Sequence, residues 1–197
     1  MALTKAAEAI TDWTAVIQNG IVESGILDIS GHYGTVLHLQ AALDTTTAHT
    51  GTKFKVQVSS NASGDEDWED LTEFIALIGT AATDLIENDP LNAAETSLTL
   101  TAHALTVEGI WILIEDGTLA NSELIFVASQ TANAVVALDG VTNAHALNTA
   151  VFDIAISRAI EIPWGSGLRA RLIVDNSYDD NGSSLNYKLR ATKVTGI

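Results

Sequence analysis

The chain has 197 residues, no cysteine, 47% hydrophobic residues and a formal net charge of −16. Disulfides and thiolate metal sites are excluded outright, and so acidic a chain disfavours nucleic acid as a partner, because phosphate contacts need clustered lysine and arginine. No apolar run reaches the ~18 residues of a membrane span, and the first residues, MALTKAAEAITDW, lack the apolar centre of a signal peptide; the expectation is a protein made in the cytoplasm with no membrane anchor.

Usage rich in Ala, Thr, Val, Ile and Leu, with 14 Gly and only 2 Pro, favours short strands joined by polar turns. Residues 2–12, ALTKAAEAITD, have the composition of a short helix, but an isolated helix of this length is marginal in water. They read as an arm, either frayed or ordered by a partner. From Trp13 the pattern turns to β, with strands at 13–18, 20–28 and 35–42 separated by the Asn19-Gly20 and Ser30-Gly31 turns. In the third of these, Leu37, Leu39 and Ala41 oppose Val36, His38 and Gln40 across the strand.

The stretch KFKVQVSSNASGDEDWEDLTEF, residues 53–74, begins as an alternating strand with Phe54, Val56 and Val58 on one face and Lys53, Lys55 and Gln57 on the other. It breaks into an acidic turn and returns through Trp68, Leu71 and Phe74, with a strand expected to continue over 74–78. Beyond it lies an acidic middle in which 97–101, 110–115, 124–128 and 135–138 read as short strands. Apolar strand patterns resume at 152–156 and 160–162, and 168–174 and 187–194 alternate well around the turn NSYDDNGSS, which predicts a hairpin. The fold expected is all-β: an antiparallel, jelly-roll-like β-sandwich built from 13–83 and 154–197, with 1–12 as an N-terminal arm and 84–153 as a small inserted β subdomain.

Charge is uneven along the chain. Between Val56 and Ser157 there are sixteen Asp or Glu and no Lys or Arg. Lys53 and Lys55, Arg169 and Arg171, and Lys188 and Arg190 form pairs two residues apart, so each pair projects from one face of its strand. If the three strands share a sheet, six of the nine basic residues converge on one surface. Such a surface docks an acidic neighbour, or it is a solvated face laced with cross-strand ion pairs to residues such as Glu161.

No enzyme signature accompanies these features. His32, His38, His49, His103 and His145 lack zinc-pair spacing, and Gly165-Ser166-Gly167 lacks the context of a nucleophile elbow. Asp175, Ser177, Asp179 and Asn181 space oxygens as a calcium loop does, yet the glycine is displaced to Gly182 and the twelfth position is Asn186; Asp175, Asp179 and Asn181 stay weak calcium candidates beside self-capping turns, as does the loop 61–67. Trp68 and Trp164 raise sugar stacking, against a packing role for Trp68 beside Leu71 and Phe74. No cofactor is expected.

The phrases VESGILDISGHYGTVLHLQAALDTTTAHTGTKFKVQVSSNASGDEDWEDLTEF, IEDGTLANSELIFVAS and LDGVTNAHALNTAVF resemble structural proteins of tailed bacteriophages and related prophages, over most of the chain from Trp13 to Ile197. The resemblance rests on turns and strands and assigns no catalytic residue. Within that class the chain most resembles a head decoration, or cement, protein. What the resemblance implies is a non-enzymatic virion protein that binds the major capsid protein on the outer lattice, commonly as a homotrimer, and reinforces the head. The alternatives are a tail, neck or fibre-associated virion protein, or a carbohydrate-binding adsorption module.

Overall fold

A computed structural model describes residues 3–64, 67–102, 105, 108–131, 134–178 and 183–196. Fifteen strands appear among them: β1 (Leu3–Val16), β2 (Ile21–Glu23), β3 (Leu27–Asp28), β4 (Gly34–Leu43), β5 (Thr52–Ser59), β6 (Trp68–Ala76), β7 (Thr83–Leu85), β8 (Ser97–Thr99), β9 (Trp111–Glu115), β10 (Glu123–Thr131), β11 (Ala134–Ala137), β12 (Ala150–Phe152), β13 (Ala155–Ile162), β14 (Arg169–Asp175) and β15 (Leu185–Gly196). The one helical element described is a single 3-10 turn, Leu119–Asn121. The protein is an all-β sandwich, and every strand pairing in it is antiparallel.

Three sheets form. The first runs β1-β15-β4-β13, the second runs β2-β14-β5-β6 with β3 also on β14, and the third runs β7-β12-β9-β10-β11-β8. The first two face each other because each presents one apolar side. Leu37, Leu39 and Ala41 of β4 and Leu185, Tyr187 and Leu189 of β15 meet Phe54, Val56 and Val58 of β5 and Ala170, Leu172 and Val174 of β14 in one buried core. Period-two alternation in the sequence becomes an inside and an outside. On β5 and β6, Phe54 lies opposite Phe74 with their rings stacked 5.4 Å apart, which closes the sandwich at that edge.

The third sheet works differently, because its central strands are buried on both faces. Leu113 of β9, Leu124 of β10 and Phe152 of β12 join the sandwich core, while Ile112, Ile114, Ile125 and Val151 join a second core with Ile86, Leu98, Val127 and Val135. This is why WILI and LIFV read as continuous apolar runs: alternate residues serve different cores. β9 packs against β4 and β13, so this sheet lies over the outer side of the first sheet.

Three expectations need correction. The segment 2–12, expected as an arm either frayed or ordered by a partner, belongs from residue 3 onward to a strand, β1, paired with β15 of the same chain from Leu3 opposite Gly196 to Val16 opposite Leu185. The alanine-rich composition favours helix locally, but pairing with β15 over almost its whole length overrides that preference. The expected hairpin of 168–174 with 187–194 does not form: β14 lies between β2 and β5, and β15 lies between β1 and β4, in the facing sheet. The connection crosses between sheets and is held by Asn176, which is fully buried; its Nδ2 donates to Ser183 O at 3.1 Å, and its Oδ1 accepts from Thr52 Oγ1 at 2.8 Å. Finally, the apolar stretch 152–156 is divided, Phe152 ending β12 in the third sheet and Ala155 starting β13 in the first.

Candidate functional site

The registers place the six paired cations. Across β14 and β5, Arg171 lies opposite Gln57, Ile173 opposite Lys55 and Asp175 opposite Lys53, so Lys53, Lys55, Arg169 and Arg171 share the outer face of the second sheet. Each has a partner there. Lys55 Nζ lies 2.9 Å from Asp70, and Arg171 Nη1 lies 2.6 Å from Glu23 while its Nε donates to Gln57 at 2.9 Å. Lys53 donates to the Tyr178 hydroxyl at 2.9 Å. The hydrogen bond to Asp70, opposed by partial burial, raises the Lys55 ammonium above its usual range; bonds from Gln57 and Lys55 lower Asp70.

Arg169 is buried. Its Nε donates to Asn61 O at 2.6 Å and its Nη2 to Gly64 O at 2.7 Å, pinning the loop after β5. The guanidinium groups of Arg171 and Arg169 lie 4.2 and 5.0 Å from the centre of the Trp68 ring. Trp68 is thereby a packing partner of arginines, half-buried on this face. The face is a ladder of cross-strand pairs, of the kind that contributes about 0.2–1 kcal/mol per exposed pair.

Lys188 and Arg190 lie elsewhere. Their strand, β15, sits in the first sheet, where Lys188 pairs with Gln40 and Arg190 with His38 on the side away from the sandwich core. The six cations do not converge, because the three strands that carry them do not share a sheet.

Other candidates separate as well. Asp179, Asn181 and His103 lie outside the described residues. Asp175 accepts from Ser177 N at 3.0 Å and Ser177 Oγ at 2.6 Å, capping its own turn. Among the described residues no group of three or more His, Cys, Asp or Glu is poised around a common point to hold a metal ion. His49 and His145 are buried far apart in different networks, and His38 meets Thr192 at 3.1 Å. Ser166 closes a turn by donating its amide to Pro163 O, and Trp164 in that turn is 75% exposed.

Between the first and third sheets lies a cleft of about 380 Å³. One wall is the outer side of the first sheet, with His38, Gln40, Ser157, Lys188 and Arg190; the other is formed by Ser122, Glu123, Leu124, Thr142 and Asn143, and buried Trp13 lies at its base. A second hollow of about 490 Å³ adjoins it, sharing Gln40, Glu123, Leu124 and Thr142 and adding Trp111, Phe126 and Leu138. Trp111 and Phe126 meet edge to face at 5.5 Å there.

The far wall is organised by Glu123. Its carboxylate accepts from Thr142 N at 2.7 Å and Asn143 N at 3.0 Å, and lies 2.8 Å from His145 Nε2. Burial pushes this carboxyl up, but the bonds from His145 and the two amides outweigh it and hold Glu123 below the usual carboxylate range. The other imidazole nitrogen of His145 lies 3.5 Å from Asp116 without making a hydrogen bond to it. On the near wall, burial and then the neighbouring Arg190 lower the Lys188 ammonium, against weaker opposing effects of Asp12 and Glu123. Lys188 lies 5.9 Å from the Trp13 ring. Neither Lys188 nor Arg190 has a carboxylate within ion-pair distance among the described residues.

The residues of the far wall were not singled out from the sequence. Glu123 stands as one acid among many, and Asn143-Ala144-His145 reads as a turn. The only local signal is that Glu123 immediately precedes the apolar run Leu124–Val127, which fixes its strand but not its partners.

No protein-family model matches the chain, and no curated protein does. Among solved structures it is similar to the K3 cleaved adhesin domain of Lys-gingipain from Porphyromonas gingivalis, at 12% identity and TM-score 0.39 over 92% of this chain and 72% of that one. The K1 adhesin domain of the same protein matches at 8% identity and TM-score 0.39 over the whole of both chains. The SPBc2 prophage-derived protein YomS matches at 8% identity and TM-score 0.30 over 99% of this chain and 96% of that one. At such scores these likenesses carry neither a family nor a function to this chain.

Proposed function

We propose that the chain is a non-enzymatic structural protein of a tailed-phage virion that docks on the major capsid protein and decorates the outer head lattice. It does so as a homotrimer assembled in the host cytoplasm. In this reading 13–83 and 154–197 form the docking sandwich, to which β1 is fastened by its pairing with β15, and 84–153 is an inserted subdomain.

The observation that carries the proposal is an apolar end of the sandwich. Ile17, Ile21, Ile75, Ile78 and Tyr178 are each more than half exposed. Ile21, Asp175, Lys53 and Ile75 stand in one row across four strands, and Ile75 and Ile78 both crowd Gly51. Asn176 ties this end together, its amide donating to Gly20 O and its side chain to Ile17 O. Large β-branched side chains grouped on so acidic a protein mark a protein–protein contact, since solvating them costs free energy that docking recovers.

The test is a variant with Ile17, Ile21, Ile75 and Ile78 all changed to serine, compared with wild type for melting and for co-sedimentation with empty capsids. Retained folding with lost capsid binding is the expected result. Full capsid binding by the folded variant overturns the apolar end as the docking face.

A second reading is favoured by exposed Trp164: an adsorption module stacking sugar on that indole. Glycan-array binding abolished by Trp164→Ala, without capsid binding, selects it. A tail, neck or fibre position is selected if the protein is found on tails rather than on heads.

A further inference from the structure

The cleft between the first and third sheets has no part in the docking role just described. Its near wall carries Lys188 and Arg190, two cations on adjacent same-face positions of β15, neither of them ion-paired among the described residues. With 25 acidic residues against nine basic ones, three other cations, Lys55, Arg171 and Lys193, do find a carboxylate. An ammonium half-withdrawn from water beside a guanidinium is under-compensated, and an anion entering the cleft relieves that repulsion.

The remaining lining narrows the anion. Gln40, Asn143 and Ser157 offer amide and hydroxyl groups that both donate and accept, the pattern that suits a ring bearing several hydroxyls. The adjoining hollow supplies the apolar surface of Trp111 and Phe126, on which the less polar side of a sugar packs. A cleft of about 380 Å³ falls within the ~300–1,000 Å³ typical of small-ligand sites. Glu123 is held on the far wall, with both carboxylate oxygens already engaged by Thr142, Asn143 and His145. Its charge disfavours a polyanion such as an acidic peptide and leaves room for a ligand with one carboxylate directed at the opposite wall.

We infer that this interlayer cleft binds a carboxylated saccharide, its carboxylate at Lys188 and Arg190 and its hydroxyls at Gln40, Asn143 and Ser157. The site is independent of capsid docking, since Ile21 and Ile75 of the apolar end belong to β2 and β6 of the second sheet, whereas the cleft lies between the first and third sheets.

The experiment titrates the full chain by calorimetry and saturation-transfer NMR. The probes are glucuronate and galacturonate oligomers and N-acetylneuraminate, each beside its methyl ester, with a tetraglutamate peptide as the competing anion. The expected result is binding of at least one acid, with the ester and Arg190→Gln each weakening it by at least about tenfold, the loss of one charge-assisted hydrogen bond. Arg190 is exposed and holds no other side chain among the described residues, so the variant keeps its fold; Lys188→Met, which keeps the packing stem against Trp13, must weaken binding likewise. Trp164→Ala must leave it unchanged. Any of three results overturns the proposal: no binding up to about 10 mM, equal binding of acid and ester, or tetraglutamate bound more tightly than every sugar. Capsid co-sedimentation of the Arg190→Gln variant is expected to match wild type, so failure of this site and failure of the docking reading are read separately.

Discussion

Glu123→Gln gives the sharpest test of how the third sheet is fastened to its loops. The wild-type carboxylate takes two backbone amides and one imidazole at 2.7, 3.0 and 2.8 Å, with only 12% of its side chain exposed. Glutamine keeps one carbonyl oxygen and replaces the other with an NH₂ group, which meets a backbone N–H donor head on. With the carbonyl oxygen kept toward Asn143 and His145, the Thr142 amide at the exposed end of the network turns to water, and the two remaining bonds lose their charge assistance. The sum is a destabilisation of about 1–2 kcal/mol, or about 2–8 °C in melting temperature for a chain of this size. Circular dichroism melts at neutral pH measure it.

The pH dependence follows from the direction of the Glu123 shift. Its folded value lies below its ordinary 4.5, so its contribution is fully present above that pH and is lost as pH falls through the lower folded value. The gap between wild type and variant should therefore narrow in acid. A loss under about 0.5 kcal/mol at neutral pH, or a gap constant down to the acid unfolding limit, would refute the assignment of Glu123 as the loop anchor.

Two further outcomes are expected. Arg169→Met removes the donors to Asn61 O and Gly64 O while keeping much of the side-chain volume, and should cost about 2–4 kcal/mol in chemical denaturation; a docking residue with no structural duty would cost almost nothing. Gly140→Ala drives a Cβ into the Ala94 carbonyl, against backbone that has its own bond to Val141, and should cost about 1–3 kcal/mol; an unchanged melting temperature would mean that the 94–96 turn yields freely.

The strands were legible because their physics is local. Alternation at 35–42, 53–58 and 187–194 states which residues go inside, and the structure puts Leu39, Val56 and Leu189 there. Sheet membership was not legible, because β14 and β15 carry the same alternation whichever sheet they join. Their separation is decided by which partner their apolar sides meet: Leu189 lies opposite Leu39, and Leu172 opposite Val56. The same gap misplaced the cations, since spacing two apart sets a shared face within a strand and says nothing about neighbouring strands. The alanines of β1 favour helix until β15 is present to pair with them. The cleft was the least legible feature, for Glu123 and His145 are 22 residues apart and meet only after β10 and the loop following β11 are in register.

The measurement that bears most directly on the proposed role is the location and number of copies of this protein in purified phage particles, by quantitative mass spectrometry of separated heads and tails together with electron microscopy. The account predicts many copies per head, arranged as trimers on the outer lattice with the apolar end of the sandwich against the capsid. Absence from heads, or a handful of copies confined to tails or fibres, would contradict it.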